Sequence, residues 1–199
     1  MFSEINESTR KRMRYLEEID ARDRQDGTER MKRLRQIPPE TGRFLAIIAA
    51  SSPDGLMVEI GTSAGYSTLW LSLAGRETSR TVITHELLPE KIALAKETFE
   101  TCGIGDLVKL VEGDVLEHLP GLEGISFCFL DTEKELYEPC WEIVAPRIVP
   151  GGILAADNAI NHYDTIRPML EKAEQDDRFD SIVVPVGKGV LVARRKRDA

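Results

Sequence analysis

The stretch MVEIGTSAGYS, residues 57–67, ends an apolar run in Glu59 and then turns through two glycines, Gly61 and Gly65, with small residues between them. A run that stops this abruptly on an acid reads as a buried strand, and AGYSTLWLSLAG (64–75) reads as the helix that follows it. Glycine in such a turn lets the backbone fold tightly or lets a ligand lie against it, and a helix N-terminus supplies free N–H groups beside it. The spacing is Glu59-x-Gly61-x-x-x-Gly65, not the G-x-G-x-x-G that cradles a pyrophosphate. A nucleoside carrying an amino acid, which has no phosphate to bind, suits the turn better.

Outward from this turn, short apolar runs alternate with amphipathic ones. Strands are expected at 56–60, 81–86, 108–113, 125–131, 151–158, 181–186 and 189–195, most of them β-branched and apolar on both faces. Helices are expected at 37–50 (entered through Pro38 and Pro39), at 64–75 (closed by Gly75), and at 89–103, which starts on Pro89 and ends on Gly103. A further helix at 134–152 should bend or break at Pro139 and Pro146. Strand–helix alternation of this kind predicts an α/β, doubly wound, Rossmann-like sheet with mostly parallel strands. Only Gly187 and Lys188 separate the last two expected strands, so they form a hairpin and one strand runs antiparallel. Residues 1–36 read as an N-terminal helical appendage, and 37–199 as one domain.

In such a sheet, ligands bind beyond the carboxyl ends of the strands, where strand order reverses. Five successive strands place an acid there: Glu59, Glu86, Asp114, Asp131 and Asp157. Carboxylates facing one another are costly to keep ionised, so a polar ligand or cation is expected between them. Glu86 lies 25 residues after Gly61, the range for an acid that accepts from ribose hydroxyls. Gly113-Asp114 is placed to meet an adenine amino group. Asp131, Asp157 and Asn158 offer hard oxygen ligands that suit Mg²⁺. Lys134, three residues after Asp131, is then a candidate base.

The chain of 199 residues, 42% hydrophobic and 30% charged, suits one soluble domain. It contains no apolar run of membrane-span length, and the start MFSEINESTRKRMR has no apolar core of a signal peptide. Cys102, Cys128 and Cys140 follow no pattern and read as reduced core residues of a cytoplasmic protein. The net charge of −8 disfavours non-specific nucleic-acid binding, although residues 1–36 hold ten Lys/Arg against eight Asp/Glu and the tail RRKRD is basic.

The pieces VEIGTSAGYS, the terminal acid of THE, FLDTEKELY (129–137) and Asp157-Asn158 after PGGILAA together resemble the cation-dependent O-methyltransferase family, which includes catechol and caffeoyl-CoA O-methyltransferases. The resemblance runs from Ile37 to Gly189. It implies S-adenosylmethionine as methyl donor on the seven-stranded sheet of class I methyltransferases. It places Ile37, Glu59, Gly61, Ser63, Gly65, Tyr66 and Ser67 around the methionine half of the donor. Glu86 then holds the ribose, and Gly113, Asp114 and Val115 line the adenine. Asp131, Asp157 and Asn158 match the metal ligands, Lys134 the catalytic lysine, and Asp131 serves both the metal and the chemistry. The resemblance also implies a small hydroxylated, catechol-like acceptor and a homodimer.

Two departures bear on the acceptor. Lys188 stands between Gly187 and Gly189 where many relatives carry an acid, and AINHYDTIRP (159–168) lacks the Trp/Gly pattern that commonly follows the Asp-Asn pair. His162 either lines the acceptor pocket or is an exposed loop residue. His85, His118, Trp70, Trp141 and Tyr137 read as structural. Three other readings are a methyltransferase of hydroxylated uridine in transfer RNA, favoured by the basic N-terminal segment, a non-catalytic nucleotide-binding protein of this fold, and a nicotinamide-dependent dehydrogenase. The missing G-x-G-x-x-G counts against the last.

Overall fold

The structure is a computed structural model and describes residues 1–197, so the last acid of the RRKRD tail, Asp198, lies outside the described residues. Seven strands form one sheet: β1 Leu56–Ile60, β2 Val82–Glu86, β3 Val108–Glu112, β4 Ile125–Leu130, β5 Ile148–Ala156, β6 Phe179–Val184 and β7 Val190–Arg195. Their order is β3-β2-β1-β4-β5-β7-β6. Strands β1 to β5 pair in parallel, and β7 runs antiparallel to both neighbours, β5 and β6. The doubly wound α/β expectation holds, and the reversed strand is the second from the edge.

Alternation along the strands builds two apolar layers. Phe127 and Phe129 of β4 face one cluster with Leu45, Leu69 and Phe99, while Cys128 and Leu130 face the other with Trp141 and Met169. The first layer is covered by helices α1 (Glu7–Asp23), α2 (Pro39–Ala50), α3 (Tyr66–Thr78) and α4 (Pro89–Cys102). The second is covered by α5 (Val115–His118), α6 (Tyr137–Val144) and α7 (Tyr163–Gln175). Because every residue of β4 is buried, its sequence ISFCFL is apolar almost throughout. All three cysteines are buried and free. No helix among the described residues is long and apolar enough to cross a membrane.

Several boundaries differ from expectation for local reasons. Gly75 does not close α3. It lies inside the helix because a Cβ there would sit 2.5 Å from the Arg80 carbonyl oxygen, and Ser79, at φ 55°, caps the end instead. The expected helix 134–152 is a 3-10 turn at Lys134–Leu136, then α6, which gives way at Val144 to a 3-10 turn containing Pro146. Strand β5 begins at Ile148, three residues early, and a register shift against β4 absorbs the Pro-Gly-Gly that follows. Strand β6 stops at Val184 because Pro185 has no N–H for the ladder, so the hairpin loop is longer than two residues.

The stretch 3–36, expected to be helical, has one long helix, α1. Residues 24–36 leave the helix as turns and irregular chain. Met13, Leu16 and Leu34 share the cluster of Leu45 and Leu69.

Candidate functional site

The strand order reverses between β1 and β4, and there the backbone comes closest to itself. Gly61 has φ 100°, and a Cβ on it would lie 2.0 Å from the Asp131 carbonyl oxygen. Gly65 has φ 86°, caps the start of α3, and would press a Cβ to 2.7 Å from the Phe99 ring. The chain itself therefore requires both glycines, whether or not a ligand is bound. Between them Ser63 also takes a positive φ, 49°. Three such residues in five make a tight turn whose amides are mostly used inside the chain: Gly61 and Thr62 both donate to the His85 carbonyl at 3.1 Å, and Gly65 donates to the Thr62 carbonyl at 2.9 Å.

This turn forms one wall of a cavity of about 270 Å³ at the carboxyl ends of the strands. Every residue expected around the donor lines that cavity except Glu59 and Gly65. Glu86, at the end of β2, accepts from the Ser63 amide at 2.7 Å and from the Leu87 and Leu88 amides, both at 2.9 Å. Asp114 caps α5 by accepting from the Leu116 amide at 2.9 Å. Both acids are thus fixed by backbone donors before any ligand arrives. Tyr66 donates to Glu17 at 2.6 Å, and Ser63 donates to the Leu34 carbonyl at 3.0 Å, which ties the turn to the N-terminal segment.

Glu59 is fully buried behind the turn. Thr68 and Thr84 donate to one carboxylate oxygen at 2.5 and 2.6 Å, and the other oxygen has no partner. Burial, opposed by hydrogen bonds from Ser67, Thr68 and Thr84, pushes its pKa up to about 7. His85, buried beside it, has Nδ1 at 3.0 Å from the Glu59 carbonyl oxygen, and burial lowers its pKa.

After β4, at Asp131, the arrangement changes. Lys134 is buried and donates to Tyr137 Oη at 2.8 Å, the Thr132 carbonyl at 3.0 Å and Asp131 at 3.3 Å. Tyr137 in turn donates to the Asp157 carbonyl at 3.3 Å. Asp157 is fully buried, and both of its carboxylate oxygens lack a hydrogen-bond partner. Burial first, and then the charge of Asp131, push its pKa up. Asn158 takes φ 66°, a conformation uncommon for a residue with a side chain, and donates from its amide to Asn161 at 3.1 Å. Of the expected metal ligands, Asp131 and Asn158 line the cavity and Asp157 does not. Among the described residues no group of three His, Cys, Asp or Glu side chains is arranged to hold a metal ion; this set has two carboxylates and an amide. A pair of orphaned, buried carboxylate oxygens next to a second carboxylate nevertheless fits a cation.

His162 is exposed and also lines the cavity. Lys188 lines it too and donates to the Gln36 carbonyl at 3.4 Å; the hairpin loop is held there by Ile160 and Asn161 amides on the Lys188 carbonyl.

Sequence reasoning missed part of the site. Arg30 and Arg35 both pair with Glu133, closing the N-terminal segment over the cavity. Only the basic character of that segment signalled them. Lys91, in the first turn of α4, also lines the cavity, and nothing in its helical context marked it. Tyr137 is core, as expected, but its hydroxyl belongs to the Lys134 network; its place three residues after Lys134 was the available signal.

The O-methyltransferase family model matches residues 6–196. A protein named "Putative O-methyltransferase" from Mycobacterium sp. (strain JLS) is 31% identical over 175 residues, covering 80% of this chain and 79% of its own. Among solved structures, an SAH-bound methyltransferase of Podospora anserina superposes with a TM-score of 0.79 at 23% identity, covering 96% of this chain and 89% of that one. An O-methyltransferase from Bacillus cereus in complex with SAH gives 0.78 at 21% identity, covering 94% and 91%. With the match spanning nearly the whole chain, the protein belongs to the O-methyltransferase family.

Proposed function

We propose that the protein transfers the methyl group of S-adenosylmethionine to a hydroxyl of a small, catechol-like acceptor, with a divalent cation such as Mg²⁺ held by Asp131, Asp157 and Asn158. The observation that carries this reading is the buried Asp157 carboxylate, unpartnered on both oxygens, beside Asp131, which lines the cavity. A cation in that position would lower the pKa of a bound hydroxyl, which in a free phenol is near 10.

The chain's own residues do the rest. Ser63 and Ser67, which line the cavity at the turn, face the aminoacyl end of the donor, and Glu86, already oriented by three amides, meets the ribose hydroxyls. Methyl transfer is an in-line displacement: the sulfonium becomes a thioether as the acceptor oxygen gains the methyl and loses its proton. Holding the two partners in line supplies much of the rate. Lys134 replaces its 3.3 Å contact with Asp131 by one to the acceptor oxygen, shares its proton and stabilises the negative charge that develops. Tyr137 and the Thr132 carbonyl hold the Lys134 side chain in place.

An RNA acceptor is less well supported, because the body of the protein is acidic and several cations of the N-terminal segment are paired within the chain. Arg12 pairs with Glu97, Arg24 with Asp20, and Arg30 and Arg35 with Glu133. The test is calorimetric titration with S-adenosylhomocysteine, followed by methyl transfer to a panel of catechols in Mg²⁺ or in EDTA. Binding with EDTA-sensitive turnover is expected. Absence of S-adenosylhomocysteine binding would overturn the reading.

A further inference from the structure

Lys91 is a residue out of place by every local rule. It is 5% exposed, although lysine is rarely buried without a partner. It stands in the first turn of the 14-residue helix α4, behind Pro89 and Glu90, where the helix dipole disfavours a cation. Among the described residues its ammonium makes neither a hydrogen bond nor an ion pair. Three acids act on it from a distance, and each has other partners: Glu86 accepts from three amides, Glu133 pairs with Arg30 and Arg35, and Asp131 accepts from Lys134. The group beside it is a second cation, Arg35, whose charge adds to burial in lowering the Lys91 pKa. Arg35 is itself incompletely used, since its Nε is buried with no acceptor. Both residues line the cavity. A buried, unpaired ammonium beside a half-buried guanidinium whose Nε has no acceptor is a pair of like charges that an anion between them would satisfy.

We propose that Lys91 and Arg35 form an anion-binding subsite in the cavity wall that takes a carboxylate or phosphate group of a bound substrate. The inference rests on the methyltransferase reading for the identity of that substrate. Two sources offer the same chemistry: the carboxylate of the donor's methionine half, or an acidic substituent on the acceptor. The position of Lys91 after Glu86, on the donor side of the cavity, favours the donor.

The test uses the full chain and two variants. Lys91→Met keeps the buried stem and removes the charge, and Lys91→Arg restores it. Calorimetry compares S-adenosylhomocysteine, which has the carboxylate, with 5′-methylthioadenosine, which lacks it. The donor source predicts that Lys91→Met weakens S-adenosylhomocysteine about tenfold or more, leaves methylthioadenosine within about twofold, and is rescued by Lys91→Arg. If donor affinity is unchanged but KM rises about tenfold for 3,4-dihydroxybenzoate and not for catechol, the subsite stands and serves the acceptor. Inorganic phosphate gives a readout independent of the donor: it should raise the thermal midpoint of the wild type and not of Lys91→Met. A wild type that ignores S-adenosylhomocysteine yet is protected by phosphate would sink the proposed function and keep the subsite. Equal behaviour of wild type and Lys91→Met toward donor, acceptor and phosphate overturns the subsite.

Discussion

The two sides of the cavity hold their carboxylates in opposite ways. On the donor side, Glu86 and Asp114 are anchored by backbone amides, so their orientation is a property of the fold. On what the proposed function makes the acceptor side, Asp157 is buried with no donor to either oxygen, and its neighbour Asp131 is another acid. Backbone donors make a site ready for a neutral, hydroxyl-rich ligand at no further cost. An orphaned carboxylate is unfavourable until a positive charge arrives. On the proposed reading, the acids of the donor side are satisfied by the chain alone, whereas Asp157 on the acceptor side would be satisfied only by a cation.

The largest expected effect separates the two sides. Lys134→Met should reduce kcat roughly 10²–10⁴-fold, while S-adenosylhomocysteine affinity, read by calorimetry, stays near the wild-type value. An equal loss of donor affinity would place Lys134 on the donor side and break the comparison.

The seam between the sides comes next. Gly61→Ala puts a Cβ 2.0 Å from the Asp131 carbonyl oxygen at a φ of 100°, so strain and overpacking together should destabilise the fold by about 3 kcal/mol or more. Gly103→Ala, with nothing within 4 Å of its Cβ, is the control for positive φ alone. Denaturant titration of both variants measures the difference. Equal costs would show that the turn is not pressed against β4.

A subtler effect lies behind the donor wall. Glu59 ionises near 7 in the fold against an ordinary 4.5, so between those values the folded chain holds a proton that the unfolded chain has released. Stability attributable to Glu59 is therefore present below about pH 4.5, falls as pH rises, and is fully lost above about pH 7. The 2.5-unit gap between 7 and 4.5 corresponds to about 3 kcal/mol. Glu59→Gln should gain about that much relative to wild type between about pH 4.5 and about pH 8. A stability difference that does not vary with pH would mean that Glu59 ionises normally.

Much of this was legible in the chain itself, for physical reasons. Strands covered on both faces are apolar almost throughout, which made β1 and β4 plain, and parallel strands put their terminal acids at one edge. The glycine turn was legible as a turn, but its cause was not. Whether Gly61 yields to a ligand or to Asp131 depends on the distance between two strands that are 70 residues apart in sequence. The N-terminal segment was the least readable part. Arg35 reaches Glu133 across 98 residues of sequence, and no local pattern encodes such a pairing. Lys91 was hidden for the same reason: its oddity is its burial, which only the packed structure reveals.

The claim that the acceptor side is built for a cation is tested most directly by thermal unfolding of wild type and Asp157→Asn, each with EDTA and with excess Mg²⁺. The account predicts that Mg²⁺ raises the wild-type midpoint, because a ligand bound only by the folded state stabilises it, and that Asp157→Asn abolishes the shift. A wild-type midpoint that Mg²⁺ leaves unchanged would contradict it.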